Sequence, residues 1–346
     1  LMINGVGTTV DTVWGISNYT FEDQLNNPCN PDGSYLTYAI AAFDSCGKIS
    51  PISVEHNTMN ITAVKDICDD KMTLTWNSYH NMPGGLQSYE LYASENGGPE
   101  VLLTSAAPLD TVFEHVGLTN NSEYCYYVRA VGTTGATSTS CVICEMANKP
   151  NQPQFVYIRS ASVIPGNKFG VELTIHTDTT AKVSLYRIER SSDASNWTSI
   201  ATLPPNYTNP TLSYIDGAAL VSTKSYYYRV IVIDSCGFEA ITSKKARTIL
   251  LKVIPSDSLF NNLSWNAYQE FDGTPTTYQV YRSLDGIWES APMITLPSSQ
   301  LNFQDNVAAY KDQGGIFEYF VSALEGSFNQ WSFEDSARSN SVVAVQ

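Results

Sequence analysis

The side chains best suited to chemistry in this chain are four histidines, seven cysteines and a few adjacent carboxylates. His56, His80, His115 and His176 are scattered, and none accompanies a nucleophile on a sharp Gly-x-Ser-x-Gly turn, so no triad is expected. Glu22/Asp23, Asp69/Asp70 and Glu334/Asp335 are neighbours in sequence. Neighbours in a strand point to opposite faces, which makes them poor acid–base couples. Cys141-Val-Ile-Cys144 has neither a second half nor a histidine for zinc, and no helix pattern follows it for thiol–disulfide exchange. Asp66–Asp70 lacks the fixed glycine and terminal glutamate of a calcium loop. No phosphate-binding or dinucleotide fingerprint occurs. The expectation is a non-catalytic protein with no cofactor and no metal.

The elements that would position any site are strands. Tyr124-Cys-Tyr-Tyr-Val-Arg-Ala130 alternates with period two, and Tyr35–Phe43, Tyr226–Asp234 and Ile316–Leu324 do likewise. Pro83-Gly-Gly85, Asn96-Gly-Gly98, Asp285-Gly286 and Gln313-Gly-Gly315 punctuate them as turns. No window keeps a helical period, and 21 tyrosines suit pleated surfaces. A net charge of −15 repels phosphate backbones, which argues against nucleic acid. No apolar run is long enough for membrane insertion.

The chain repeats itself. Leu74-Thr-Trp-Asn-Ser-Tyr79 recurs as Leu263-Ser-Trp-Asn-Ala-Tyr268, and Tyr89 and Tyr278 follow the two tryptophans at equal distance. Asp-Ser-Cys-Gly appears at 44–47 and 234–237. The spacing predicts tandem fibronectin-type-III/immunoglobulin-like β-sandwiches in an elongated array. The units are 1–56 (C-terminal strands only), 57–149, 150–248 and 249–346, the last running to Ser336–Gln346. Trp76 and Trp265 are the expected core anchors. Tyr124, six residues after Leu118, fits a tyrosine corner. The start lacks a signal peptide and falls in mid-domain, which reads as a piece of a longer protein.

Disulfides are the natural use of clustered cysteines in such a protein. Cys125, Cys141 and Cys144 meet at one pole with Cys68, so Cys125 is expected to pair with Cys141 or Cys144, and Cys68 with the other. Cys236 faces the preceding unit's cysteine-rich end, and the partner of Cys46 would lie outside this stretch. Trp288 and Trp331, with Tyr127 and Trp197, are the aromatics able to stack on a ligand.

Tyr38–Gly47, Thr58–Tyr79, Tyr124–Arg129, Tyr227–Gly237, Tyr278–Gly286 and Ser336–Gln346 together resemble the tandem repeat region of Bacteroidetes surface proteins with a gliding motility-associated C-terminal domain. The resemblance implies type IX secretion and cell-surface display, with outer-membrane attachment through regions outside this stretch. Its implied partners are other domains of the same polypeptide and cell-surface or type IX secretion components. It also implies O-glycosylation at Asp-Ser/Thr-apolar sites: Thr12, Thr111, Ser258 and Ser336, with Thr179 a looser match. The Asn-x-Ser/Thr triplets at Asn18, Asn60, Asn120, Asn196, Asn206 and Asn262 carry no meaning in a bacterium. The resulting expectation is a stalk or adhesin segment. Its rival is a carbohydrate- or protein-binding module, with polysaccharide as ligand.

Overall fold

The computed structural model describes residues 2–3, 6–15, 17, 20–23, 35–166, 169–312, 314–327 and 330–345. Asn18, Gln313 and Gln346 lie outside the described residues. Among those described, strands form all the regular structure apart from one 3-10 turn, Ala308–Tyr310. The chain divides into two compact units, 1–149 and 150–346.

Unit 1–149 opens with a small sheet of two-residue strands, in the order Val6–Gly7, Met2–Ile3, Thr37–Tyr38, His56–Asn57. A sandwich built around Trp76 follows. One sheet pairs Ile61–Asp66, Lys71–Trp76 and Val112–Val116. The other pairs Val101–Ala106, Leu86–Glu95 and Ser122–Gly132, with Thr137–Thr139 and Ile143–Ala147 both on the last of these. Three strands facing four strand positions, the final one split, is the fibronectin-type-III-like arrangement. The alternation forces it: Tyr124, Tyr126, Val128 and Ala130 point inward and are buried with Leu74, Trp76 and Tyr89.

Unit 150–346 holds two such sandwiches. In the one containing His176, Val156–Val163, Val171–Thr177 and Thr211–Asp216 face Thr198–Leu203, Val183–Ser191 and Tyr227–Asp234 with its partners Glu239–Thr242 and Ala246–Arg247. In the one containing Trp265, Leu251–Ser256, Phe260–Trp265 and Asn302–Asn306 face a sheet centred on Pro275–Leu284 and Ile316–Glu325. Ser336–Arg338 and Val342–Val345 close that sheet. Each sandwich has its own buried cluster.

Recurring side-chain contacts explain the recurring sequence. Trp76 meets Tyr89 edge-on at 5.7 Å between centroids, and Trp265 meets Tyr278 at the same distance. The phenol of Tyr89 accepts the Tyr79 N–H at 2.8 Å, and that of Tyr278 accepts the Tyr268 N–H at 2.8 Å. Asn77 and Asn266 each bridge two backbone segments with one amide. These side-chain-to-backbone bonds set one register, while the indole N–H of Trp76 and of Trp265 is buried without a partner among the described residues. The phenol of Tyr124 accepts the Thr119 N–H at 3.0 Å, closing a tyrosine corner, and Tyr226 repeats the arrangement with the Leu220 N–H. Phe317 holds the matching place in the Trp265 sandwich and packs on Tyr310 instead.

A second device recurs along the chain. Ser140, Ser243 and Ser339 sit where the last strand breaks, and Ser53 stands likewise in the hairpin of residues 38–56. Each hydroxyl accepts the backbone N–H of the residue opposite (Val128, Val230, Val321, Ile40) and donates to the carbonyl one residue onward. The side chain substitutes for the ladder bond that the kink removes.

Candidate functional site

The feature with most to position lies within unit 150–346, where the Trp265 sandwich meets the His176 sandwich. Strand Val156–Val163 carries a bulge: Ile158 pairs with Ile175 and Ser160 with Thr174, leaving Arg159 unpaired. An extra residue re-aims side chains. Here Ser160 and Ala161 become consecutive buried residues, while Tyr157, Arg159 and Ser162 lie on the outer face.

Segment 331–338 runs along that face. Trp331 packs on Phe155 at 4.6 Å and Phe333 on Tyr157 at 6.1 Å. The Arg159 guanidinium donates to Asp335 twice, Nε to Oδ2 at 2.8 Å and Nη2 to Oδ1 at 2.9 Å, and lies 3.6 Å over the Phe333 ring. The Arg338 N–H donates to Ser162 Oγ at 3.1 Å. Each of these pairs is 176 residues apart, so the two segments run parallel and in register. A bidentate pair with both side chains about four-fifths buried is a strong form of ion pair, each charged hydrogen bond contributing roughly 1.5–3 kcal/mol.

The loop is braced from behind. Glu325, 9% exposed, accepts the Gly273 N–H at 2.8 Å and the Asp335 N–H at 3.1 Å, tying the loop's end to the 266–274 connection. Burial raises its carboxyl above the usual range, and the two N–H donors act against that shift. The buried phenol of Tyr268 accepts the Ala161 N–H at 2.9 Å across the junction, and burial raises it too. His176, 7% exposed, is enclosed by Phe155, Trp331 and Phe333 at 4.8–5.3 Å. Burial first, and the Arg159 charge second, push its imidazole below the ordinary value.

Beside this clamp is a cleft of about 300 Å³. Phe155, Tyr157 and Trp331 form an aromatic wall, with Gln154, Asp272 and Gln330 among its polar lining. Lys244, also at the cleft, pairs with Glu270 at 2.9 Å. Tyr157 Oη and His176 Nδ1 are buried without a hydrogen-bond partner among the described residues.

The remaining residues singled out in the sequence are placed as follows. Trp76 and Trp265 are 3% and 6% exposed at the centres of their cores. Cys125 and Cys144 face each other across adjacent strands and form a disulfide, with Cα atoms 4.0 Å apart. Cys68, Cys141 and Cys236 are also disulfide-bonded, whereas Cys46 is a free, exposed thiol. Trp288 belongs to a short strand, Ile287–Trp288, and leans on Phe320, which Arg338 caps at 3.5 Å. Tyr127 stacks on Tyr92 under Arg129 and donates to Glu100 at 2.7 Å, so its ring is closed over. Arg229 covers Trp197 at 4.4 Å. Ser258 and Ser336 are exposed; Thr12, Thr111 and Thr179 are half-buried. His115 shares a hydrogen bond with buried Tyr126 at 3.0 Å and meets the Tyr124 ring edge-on at 5.4 Å.

The clamp itself is not evident from the sequence read residue by residue. Its signal is a matched pair of alternating patterns, Phe155-x-Tyr-x-Arg159 and Trp331-x-Phe-x-Asp335, complementary in size and charge.

No protein-family model matches the chain, and no curated protein matches it. Among solved structures it is similar to the FN1–FN3 domains of chicken CNTN1 at 15% identity, with a TM-score of 0.25 over 83% of this chain and 97% of that one. The fold assignment rests on the strand order described above.

Proposed function

We propose that this chain is a non-catalytic segment of an exported surface protein, serving to hold other modules at a set spacing. The observation that carries the reading is the clamp of Phe155, Tyr157, Arg159 and Ser162 on Trp331, Phe333, Asp335 and Arg338. A connection that must only tether needs no such interface, since small polar contacts between domains leave relative motion as the default. Here an ion pair, a backbone-to-Ser162 hydrogen bond, several aromatic contacts and a buried phenol join two sandwiches as one body. The strongest groups, Arg190–Asp216–Tyr228 and Arg282–Asp305–Tyr319, are consumed in closed networks inside the sandwiches.

Export is supported by the Cys125–Cys144 disulfide, because cytosolic thiols are kept reduced. No helix of the described residues is long and apolar enough to cross a membrane. Within this reading, the resemblance of Tyr38–Gly47, Tyr227–Gly237 and Ser336–Gln346 to gliding-motility-associated repeat regions points to type IX secretion and an adhesin or stalk role on the cell surface.

Protease treatment of intact source cells, followed by mass spectrometry of the released peptides, tests the proposal. Release of peptides from 57–149 and 249–346 with Cys125 and Cys144 still linked is the expected outcome. Peptides that appear only after lysis, with both cysteines reduced, would overturn it.

A further inference from the structure

The Arg159–Asp335 clamp explains why the two sandwiches are joined but not why a cleft remains beside it. Two properties of the cleft are unusual for a purely structural gap. Its volume, about 300 Å³, is at the lower end of ligand sites. Its wall of Phe155, Tyr157 and Trp331 is flanked by carboxamide and carboxylate groups from Gln154, Gln330 and Asp272.

We propose that this cleft binds a neutral saccharide. A sugar ring presents an apolar C–H face and a rim of hydroxyls, which matches an aromatic wall bordered by amides and a carboxylate. Other ligand classes fit less well. Asp272 and Glu270 oppose an anion, and the Lys244 ammonium is already paired with Glu270. A quaternary ammonium needs aromatic faces standing apart as a cage. Here Phe155 and Trp331 lie in contact at 4.6 Å and Tyr157 stacks on Trp331 at 6.3 Å and a 23° angle, so the rings pack on one another and do not stand apart. The assignment does not depend on where the protein is displayed.

The test is isothermal titration of the full chain with cellohexaose, mannohexaose and chitohexaose. Hexagalacturonate and tetramethylammonium serve as charged probes. Saturable binding of at least one neutral hexasaccharide is expected, weakened tenfold or more by Trp331→Ala and unchanged by Trp288→Ala. Because Trp331 also supports the clamp, Thr242→Trp is the second variant: Thr242 is exposed at the cleft, and an indole there fills it from the solvent side. That variant should lose binding while its melting temperature stays within a degree or two of the parent. No binding of any neutral hexasaccharide, binding of the charged probes alone, or affinity unchanged by both Trp331→Ala and Thr242→Trp would overturn the proposal.

Discussion

Two hairpin loops at the same place in two sandwiches have opposite uses. In the Trp76 sandwich the loop between the last two sheet positions is short, Gly132-Thr-Thr-Gly-Ala136, and turns onto its own neighbour. Thr133 and Thr134 hydroxyls donate to the carbonyls of Gly84 and Pro83 at 2.7 and 2.9 Å. A Cβ on Gly84 would lie 2.5 Å from Thr134 Cγ2, so only glycine permits that closure. In the Trp265 sandwich the equivalent loop, from Gly326 to Asp335, is twice as long and reaches the adjacent sandwich instead. One framework thus either seals its own end or grips its neighbour, according to loop length and the aromatics placed there. Binding capacity follows the loops because the strands beneath are already committed to packing.

The comparison can be broken most severely at the core. Trp265→Ala should cost about 3–5 kcal/mol, as large-to-small aromatic changes do. Hydrogen exchange should show the loss spreading to the Ala161 amide in the neighbouring sandwich, since Tyr268 and the long loop both stand on the Trp265 core. In Trp76→Ala, with a similar cost, the exchange change should centre on its own sandwich, at 84–85 and 133–134. Equal protection of Ala161 in the Trp265→Ala and parent proteins would show that the clamp does not couple the pair.

Removing the disulfide comes next. Cys125 and Cys144 close a loop with a sequence separation of 19, for which chain entropy gives about 3 kcal/mol. The double Cys→Ala variant should show that loss in urea unfolding of the Trp76 sandwich. Arg159→Ala should then cost about 2–3 kcal/mol, because it strands the Asp335 carboxylate. Its sharper signature is proteolytic cleavage within 326–335, with the Gly132–Ala136 loop remaining resistant.

The smallest effect expected is that of pH. His176 and His115 are both held below their ordinary values by burial. The unfolded chain therefore binds protons near pH 6.5 that the folded state declines, so stability is complete above that pH and falls as the pH drops below it. Glu325 has the opposite sign, its raised carboxyl favouring the folded state at more acidic pH. A thermal melt series from pH 7.5 to 5.5 should show a falling midpoint, flattened in His176→Phe. A midpoint independent of pH in the parent would contradict the buried imidazoles.

Much of the fold was legible because its determinants are local. Alternation in Tyr124–Ala130, the Trp-Asn repeat and the Leu118–Tyr124 spacing each act within one sandwich. The His176 sandwich was harder to see as a repeat, since Ile175 pairs in its sheet where the other two carry tryptophan. The break-point serines do not stand out in the sequence, because serine is common and its role shows only once the opposite N–H is known. The clamp was hidden for a further reason: it joins residues 176 apart through a bulge at Arg159 that no propensity announces. Trp331 was singled out as a stacking surface, and the structure places it in both the clamp and the cleft wall.

The serine-marked break in each final strand has one more consequence. Modules joined in one chain meet at effective concentrations in the millimolar range, where an unbroken edge strand would invite a sister module to add to it. Thr137–Thr139 and Ile143–Ala147, Glu239–Thr242 and Ala246–Arg247, and Ser336–Arg338 and Val342–Val345 each present two short, offset edges in place of one long one. A hydroxyl at each break thereby lets near-identical folds emerge one after another without exchanging strands.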